Sequence, residues 1–262
     1  MVDVVLDGVA GVGRGFFAVC RAAGALTLFA LSGLSHIVRP PYYPRAFARA
    51  FVEMGYFSLP VVALTAIFTG MVLALQSATG LSRFSAETAM PSLVVLSITR
   101  ELGPVLAGLM VAGRVGAAMA AEIGTMRVTD QIDALQTLST DPMKYLVAPR
   151  LLAGIIALPL LVMVGDILGV LGGFIIATVK LGFNAPTYLH NTISHLESID
   201  VVSGLVKAAA FGFLIALLGC FHGYSSRGGA QGVGSATTAA VVAASVLILA
   251  FDYGLTELFF AR

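Results

Sequence analysis

The chain alternates between long stretches without a charged residue and short polar segments. Three of these stretches, Met54–Ser82, Ala208–Ser226 and Gly228–Phe251, contain no Asp, Glu, Lys or Arg. They are rich in Leu, Val, Ile, Phe and Ala. Because a helix needs about 20 apolar residues to cross a bilayer, each stretch predicts one membrane span.

Two further apolar stretches are interrupted by charge. The adjacent pair Arg100 and Glu101 interrupts one, and Asp166 interrupts the other. Neither half is long enough to cross alone, whereas the two halves together are, so both stretches are predicted as spans. The pattern therefore predicts five spans, at about residues 58–80, 88–113, 149–179, 203–225 and 232–256.

A shorter apolar stretch, Ala22–Val38, precedes these spans. It contains Gly24 and Gly33 and follows Arg14 and Arg21. Flanking basic residues are typical of a helix that lies in the membrane interface, and we favour this interpretation over a sixth span. The predicted fold is an all-α integral membrane protein, with an N-terminal interfacial helix followed by five transmembrane helices. We divide it into an N-terminal cytoplasmic or interfacial region, residues 1–52, and a transmembrane domain, residues 53–262.

Composition supports a membrane protein and excludes several other classes. Of the 262 residues, 58% are hydrophobic and 11% are charged, whereas soluble domains carry about 25% charged residues. The net charge of +1 gives no support for nucleic-acid binding, which usually requires a basic patch. Cys20 and Cys220 lie far apart and lack metal-ligand spacing, so we expect neither a disulfide framework nor a metal site.

The distribution of Lys and Arg predicts the orientation. If the N-terminus is cytoplasmic, most of the basic residues outside the spans face the cytoplasm. Cytoplasmic loops are typically enriched in Lys and Arg, so this arrangement is favoured over its inverse. With five spans, the C-terminus then lies on the opposite side of the membrane.

The segment between the second and third spans predicts a short amphipathic helix. Val128, Ile132 and Leu135 recur at helical spacing and would form one apolar face. After it, Ser139–Pro142 is typical of an N-cap followed by Pro at the first helical position, which would begin the third span.

Two interpretations of this helix stay open. It could rest on the lipid headgroups, or it could dock a cytoplasmic partner. A helix on a membrane surface is usually rich in basic residues. Here Arg127 is offset by Asp130 and Asp133, which favours a protein partner.

Ionisable residues inside predicted spans are candidates for function, because burying a charge in a bilayer is costly. They are Arg100, Glu101, Asp166, Lys207 and Asp252. Neighbours on a helix point about 100° apart, so Arg100 and Glu101 need not pair with each other. A purely structural role stays open for each of these five residues, and for Asp166 this role would be pairing with a neighbouring helix.

Helix irregularity and close packing are also predicted. Pro104 removes the backbone hydrogen bond to the carbonyl of Arg100, so we expect a kink or a break there. Small residues at four-residue spacing allow helices to approach closely. Two such runs occur, Gly165, Gly169 and Gly173 in one, and Gly116, Ala120 and Gly124 in the other.

Several catalytic motifs are absent from the sequence. It contains no GxxxxGK[ST] for nucleotide phosphates, no HExxH and no GxSxG. We therefore expect no ATPase activity in this chain, and if it is a pump, its energy must come from another chain or from an ion gradient. The alternative is an ion-coupled transporter or channel that uses Glu101, Asp166, Lys207 and Asp252. An intramembrane enzyme has no nucleophile–base pair or metal spacing to support it.

Four motifs in fixed order resemble a known family. They are FTGMVLALQ (68–76), RELGPVLAGLMVAGRVGAAMAAEIGTMRVTDQIDAL (100–135), DPMKYLVAPRLLAG (141–154) and ALPLL (157–161). Together they resemble the MlaE/YrbE permease family, and the similarity extends from about residue 40 to the C-terminus. These permeases are the membrane subunits of MCE-type ABC transporters, which move phospholipid between the two membranes of a Gram-negative envelope.

The resemblance implies a set of partners. It implies a homodimer in the bacterial inner membrane, bound to cytoplasmic ABC ATPases (MlaF-like) that use the ATP. It also implies a periplasmic hexamer of MCE-domain proteins (MlaD-like) and a STAS-domain subunit (MlaB-like). No cofactor would be bound by this chain itself, and its cargo would be a phospholipid.

The resemblance also implies functional residues. A cytoplasmic coupling helix at about Ala121–Leu138 would bind the ATPase through Glu122, Arg127, Asp130, Gln131 and Asp133. The lipid pathway would include the polar residues Arg49, Arg100, Glu101, Lys207 and Asp252. Its apolar pocket would be lined by Leu75, Leu93, Val94 and Leu96, with residues of the fifth span.

Overall fold

The computed structural model describes residues 2–260, without the side chains of residues 2–12, Arg14, Val19 and Glu87. Within that range the chain is helical, and turns and short loops join the helices. The helices are α1 (Val2–Val38), α2 (Pro44–Met54), α3 (Leu59–Ser82), α4 (Met90–Ser97), α5 (Gly103–Val111), α6 (Ala117–Val128), α7 (Gln131–Thr137), α8 (Ala148–Val179), α9 (Ala185–Ser194), α10 (Ser198–Tyr224) and α11 (Gly229–Phe260).

Six helical runs between residues 2 and 260 are long and apolar enough to cross a membrane. Five correspond to the five predicted spans, with bounds that agree within three residues at one end and extend beyond the prediction at the other. The six runs are Gly15–Val38, Pro44–Ser82, Met90–Val128, Met143–Val179, Ser198–Tyr224 and Gly229–Phe260.

The N-terminal helix α1 packs on the bundle through its C-terminal part. Gly33 lies directly against the side chain of Leu151 on α8, and the Phe29 ring lies 5.5 Å from the Phe221 ring of α10. Length and composition would allow the run from Gly15 to Val38 to cross a membrane. Its assignment to the interface therefore stays a prediction.

The second predicted span continues through Pro104 without interruption. The chain is helical from Met90 to Val128, and a π turn at Ile98–Leu102 immediately precedes the proline. A π turn changes the backbone hydrogen-bonding pattern locally while the helix continues. Of the two outcomes predicted at Pro104, the break is wrong, because the π turn accommodates the proline, and the kink stays a prediction.

The third predicted span begins as its sequence indicates. The side chain of Asp141 accepts a hydrogen bond from the backbone N–H of Met143, at 2.9 Å. Pro142 follows the capping residue, and a π turn from Met143 to Val147 leads into α8. The predicted cap is confirmed, and the helical run starts six residues before the expected residue 149.

Helix α8 lies at the centre of the bundle and is packed closely through glycines. A Cβ atom at Gly70 on α3 would overlap the backbone of Gly169 on α8. The same would happen between Gly154 of α8 and Gly212 of α10. The close approach predicted for the glycine run of the third span is confirmed.

The amphipathic helix is shorter than its periodicity suggests. Helix α6 ends at Val128, and Asp130 then adopts a left-handed conformation with φ of 59°. Asp tolerates this conformation better than most residues. In α7, Ile132 is completely buried and Leu135 packs on the main core. Ile132 and Leu135 face the bundle as predicted. The prediction that Val128 lies on the same helix is wrong, because the turn at Asp130 separates Val128 from α7.

The helices define two ends of the bundle. We call the end where α7 joins α6 to α8 the α7 end, and the opposite one, where α9 joins α8 to α10, the α9 end. Helix α3 runs alongside α8 in the same direction, because Val62 meets Gly165 and Gly70 meets Gly173. Most charged side chains of interest lie towards one end or the other.

Candidate functional site

Lys207 is the centre of a buried polar cluster towards the α9 end. Its side chain is fully buried, about 14 Å along α10 from the first helical residue. Its ammonium group donates hydrogen bonds to Glu101 Oε2 at 2.8 Å, to Thr256 Oγ1 at 2.7 Å and to the carbonyl oxygen of Arg100 at 3.0 Å. These bonds use all three protons of the ammonium group.

The bond to the Arg100 carbonyl follows from the sequence of the second span. Pro104 has no N–H, so it cannot donate the helical hydrogen bond to the carbonyl of Arg100. Nζ of Lys207 reaches that carbonyl from the neighbouring helix. A backbone carbonyl left without a hydrogen bond inside the bilayer costs several kcal/mol of stability. Lys207 therefore supplies the hydrogen bond that Pro104 cannot donate, and it also balances the charge of Glu101.

Asp252 gives the cluster a second carboxylate. Its Oδ1 lies 2.9 Å from the Lys207 ammonium nitrogen. Thr256, one turn further along α11, donates to a carboxylate oxygen of Glu101 or to the backbone carbonyl of Asp252. The cluster thus joins the second span to α10 and α11 through one cation and two anions.

Arg100 points away from Glu101 and forms a separate ion pair. Its Nη2 and Nε lie 2.6 and 2.7 Å from Oδ1 of Asp200. The ring of Phe260 lies 4.3 Å from the guanidinium carbon, close enough for a cation–π contact. Asp200 is fully buried, whereas 33% of the Arg100 side chain stays exposed. Adjacent residues of the helix therefore face different partners, as predicted.

Asp200 is part of this candidate site but was not among the residues predicted from the sequence. Its second oxygen accepts a hydrogen bond from the backbone N–H of Glu197 at 2.9 Å, which forms a capping box at the start of α10. The sequence ESID places Glu197 and Asp200 three residues apart, and this spacing could have predicted the start of the helix. Nothing in the sequence shows that the same carboxylate reaches Arg100, which is 100 residues away.

The predicted apolar pocket is only partly accessible in this structure. Leu93 is 38% exposed and Leu75 lines a shallow open depression on α3. Val94, in contrast, is fully buried against Gly173 of α8. Val94 therefore belongs to the core and cannot line a pocket, because the glycine run draws α8 close to it.

Arg49 lies apart from the other predicted lipid-pathway residues. It lines a cavity at the α7 end with Glu122, which the sequence analysis assigned to ATPase coupling. Glu122 pairs with Arg150 of α8, with 2.7 Å between Oε2 and Nη2. The structure thus brings together one residue from each predicted set, at the end opposite Lys207.

The remaining predicted coupling residues lie on and around α7. Arg127 Nη1 is 2.7 Å from Asp133 Oδ1, so this pair closes the turn between α6 and α7. Gln131 donates to the Thr129 hydroxyl at 3.0 Å. Asp130, Gln131 and Asp133 are all exposed. An anchored helix that displays acidic and amide groups is therefore present where the sequence predicted one.

Asp166 does not form the pair that the sequence left open. Its Oδ1 is buried and has no hydrogen-bond partner among the side chains and backbone that the structure describes. It faces the second span at Gly103, where a Cβ atom would overlap the carboxylate. The structural alternative, in which Asp166 pairs with a neighbouring helix, is therefore wrong, since the facing residue is a glycine.

These features define an all-helical, multi-pass membrane protein whose spans are joined by buried ion pairs. The profile of the family described as Permease MlaE matches residues 47–258. The chain therefore belongs to the MlaE permease family.

Relatives from several bacteria agree with that assignment. The chain is 58% identical over 249 residues to a "Probable ABC transporter permease protein" of Rickettsia felis, covering 95% of this chain and 96% of the relative. A second such protein, from Synechocystis, is 42% identical over 207 residues, 79% of each chain. The "Intermembrane phospholipid transport system permease protein MlaE" of Haemophilus influenzae is 36% identical over 248 residues, 94% of this chain and 93% of the relative.

Proposed function

We propose that this protein is the membrane subunit of an ABC transporter that moves phospholipid between the inner and outer membranes and so maintains outer-membrane lipid asymmetry. The family and the name of the Haemophilus relative support this cargo. The observation that carries the proposal is the Arg100 guanidinium, fixed by a buried carboxylate but one-third exposed among apolar helices.

This geometry suits a phospholipid headgroup. An arginine binds phosphate through paired, charge-assisted hydrogen bonds. Asp200 and Phe260 hold Arg100 in one orientation, so binding a phosphate would require little further ordering of the side chain. The exposed fraction is the part that a phosphate would contact.

The acyl chains add little net binding energy, and transport requires this. Burial from water contributes about 0.8 kcal/mol per CH₂ group. A bilayer is equally apolar, so the gain on moving from bilayer to protein is small. The polar contacts at Arg100 then determine whether a lipid is held, and a lipid held weakly can be released.

The energy for transport comes, in this proposal, from a separate cytoplasmic ATPase (MlaF-like). Helix α7 is anchored by Ile132 and exposes Asp130 and Asp133, an arrangement that suits a coupling helix. We propose that the N-terminus and the α7 end face the cytoplasm of the inner membrane. The α9 end of a homodimer would then face an MCE-domain hexamer (MlaD-like), and a STAS-domain subunit (MlaB-like) would bind the ATPase.

The proposal is tested by combining purification with a coupled assay. The tagged protein is purified from native membranes in mild detergent, and co-purifying proteins and lipids are identified by mass spectrometry. The reconstituted complex is then assayed for ATP hydrolysis and phospholipid transfer. In Asp130→Lys/Asp133→Lys we expect ATP hydrolysis to continue, while lipid transfer falls at least tenfold.

A matched control adds positive charge to α7 without removing a carboxylate. Gln136→Lys/Thr137→Lys changes two exposed positions on the same helix and should keep more than half of the transfer. The proposal is overturned if the protein purifies without an ATPase under conditions that preserve other complexes. Ion flux driven by pH or potential in the isolated protein would instead establish the ion-coupled alternative.

A further inference from the structure

A cavity at the α7 end lies apart from Arg100 and the Lys207 cluster. Its volume is about 570 Å³, and it lies between α2, α6 and α8. Arg45, Arg49 and Glu53 of α2 line it, together with Arg150 and Glu122. The rings of Tyr43 and Tyr145, 5.1 Å apart, form another part of its wall.

The arginines of this cavity differ in how they are used. Arg150 is 12% exposed and is already bound, to Glu122 and to the Leu146 carbonyl at 2.8 Å. Arg45 and Arg49 are exposed, one helical turn apart on α2. Among all side chains that the structure describes, neither has a hydrogen bond or an ion pair. Two guanidinium groups therefore line the cavity with their donors free.

A second cavity continues the first and is more apolar. Its volume is about 240 Å³, and it shares Tyr42, Tyr43, Pro44 and Pro149 with the first. Its other walls include Ile37 of α1, Phe47 of α2 and Leu152 of α8. Its basic residues are engaged elsewhere. Lys144 donates to the Pro40 carbonyl at 3.0 Å, and His36 Nε2 lies 3.1 Å from Asp141 Oδ2.

Exposed aromatic residues around α2 indicate the depth of both cavities. Tyr42, Tyr56 and Phe57 are 64%, 66% and 57% exposed. Tyrosine is enriched at the boundary between hydrocarbon and headgroups. The free guanidiniums therefore lie near headgroup level, and the apolar cavity lies beside them.

We propose that the two cavities form one site for an anionic phospholipid at the α7 end. The phosphate lies between Arg45 and Arg49, and an acyl chain extends between Ile37, Phe47 and Leu152. Basic pockets between membrane helices bind lipid headgroups through this chemistry. The proposal rests on the proposed function for the class of cargo, and it adds a second lipid site at the end opposite Arg100.

The test uses the complex purified in detergent and a phosphatidylglycerol probe with a diazirine in one acyl chain. After illumination, mass spectrometry locates the labelled peptides. We expect labelling around Ile37, Phe47 and Leu152, and at least a tenfold loss of it in Arg45→Gln/Arg49→Gln. Arg39→Gln removes a nearby arginine that lines neither cavity and should label as the unmodified protein does. Gel filtration and thermal unfolding confirm that each variant folds.

Two further arms identify the ligand chemistry. A diacylglycerol carrying the same diazirine lacks the phosphate and should label the site at least tenfold less. Inorganic phosphate at millimolar concentration should not displace the phosphatidylglycerol probe, since it gains nothing from the apolar cavity. Full displacement by phosphate would assign the site to a free anion and overturn the lipid assignment.

Other results would overturn the proposal entirely. They are equal labelling in the double variant and the unmodified protein, equal loss in Arg39→Gln, or a cavity that cross-links only to a partner protein. The assay needs neither ATP nor transfer, so the site can fail while transport persists, and transport can fail while the site binds lipid.

Discussion

Lys207 towards the α9 end and Arg49 at the α7 end are both basic residues, but their surroundings are opposite. Lys207 is fully buried, and its three protons are bound by Glu101, Thr256 and a backbone carbonyl. Arg49 is exposed in a cavity and has no polar partner within the described part of the chain. The Lys207 cluster holds helices together, whereas the Arg49 cavity has donors free for a ligand.

The contrast shows that a charge near a membrane does not define one kind of role. A buried ion with complete hydrogen bonding cannot be removed cheaply, because its partners then remain charged and unpaired. An exposed, unpaired ion contributes little to stability but can bind something else. Mutations in the Lys207 cluster should therefore reduce stability, whereas mutations in the Arg49 cavity should reduce ligand binding with little change in stability.

The largest effect should come from Lys207→Met. It leaves the mostly buried Asp252 and the partly exposed Glu101 without their cation and also leaves the Arg100 carbonyl unpaired. We expect the free energy of unfolding to fall by about 3–5 kcal/mol, measured by denaturant titration in detergent. Adding Glu101→Gln and Asp252→Asn to this variant should restore most of the loss. A loss below about 1 kcal/mol for Lys207→Met alone would show that the cluster is hydrated.

Asp200→Asn should have an intermediate effect. It removes the charge that fixes Arg100 but retains the size of the side chain and an oxygen that can cap α10. We expect a loss of about 1–3 kcal/mol in stability. In a cycle with Arg100→Gln, the two losses should be non-additive by at least about 0.5 kcal/mol. Strict additivity would mean that the pair does not form in the detergent-solubilised protein.

Arg150→Gln should have a smaller effect. Arg150 is mostly buried but its partner Glu122 is half exposed, so water can solvate the carboxylate once the arginine is gone. We expect a loss of about 1 kcal/mol by the same titration. The control Arg227→Gln changes an exposed arginine near the same end and should have no measurable effect on stability.

Arg49→Gln should change stability least. The side chain is exposed and makes no polar contact among the described residues, so we expect a change within about 0.5 kcal/mol. Labelling by the phosphatidylglycerol probe should nevertheless fall several-fold in this single variant. A large loss of stability would contradict the comparison, since it would show that Arg49 is a structural residue like Lys207.

The spans could be predicted from sequence because each depends on a local property. About 20 apolar residues in succession predict a crossing helix wherever they occur. The cap at Asp141 and the close glycine packing of α8 were predictable for the same reason, because spacing along the chain carries the signal.

The pairing of charges was less predictable because it depends on which helices become neighbours. Arg100 and Asp200 form an ion pair although they are 100 residues apart. Lys207 donates to the carbonyl of Arg100, which lacks its helical hydrogen bond because residue 104 is a proline. The assignment of Arg49 to the same group as Lys207 followed residue type, whereas the fold places it at the other end. Pairing with a neighbouring helix was one role open to Asp166, yet its carboxylate faces Gly103.

The uninterrupted helical run from Met90 to Val128 has a mechanical consequence. At 1.5 Å per residue, about 42 Å of helix separates Arg100 from Val128, which directly precedes the turn to α7. A helix resists stretching, so a displacement applied at Val128 must reach Arg100 as tilt or rotation of a rod. The π turns at Ile98–Leu102 and Ala112–Gly116 are the places where that rod can flex. The same rod would carry a push at the α7 end to Arg100 as leverage, without any unwinding between them.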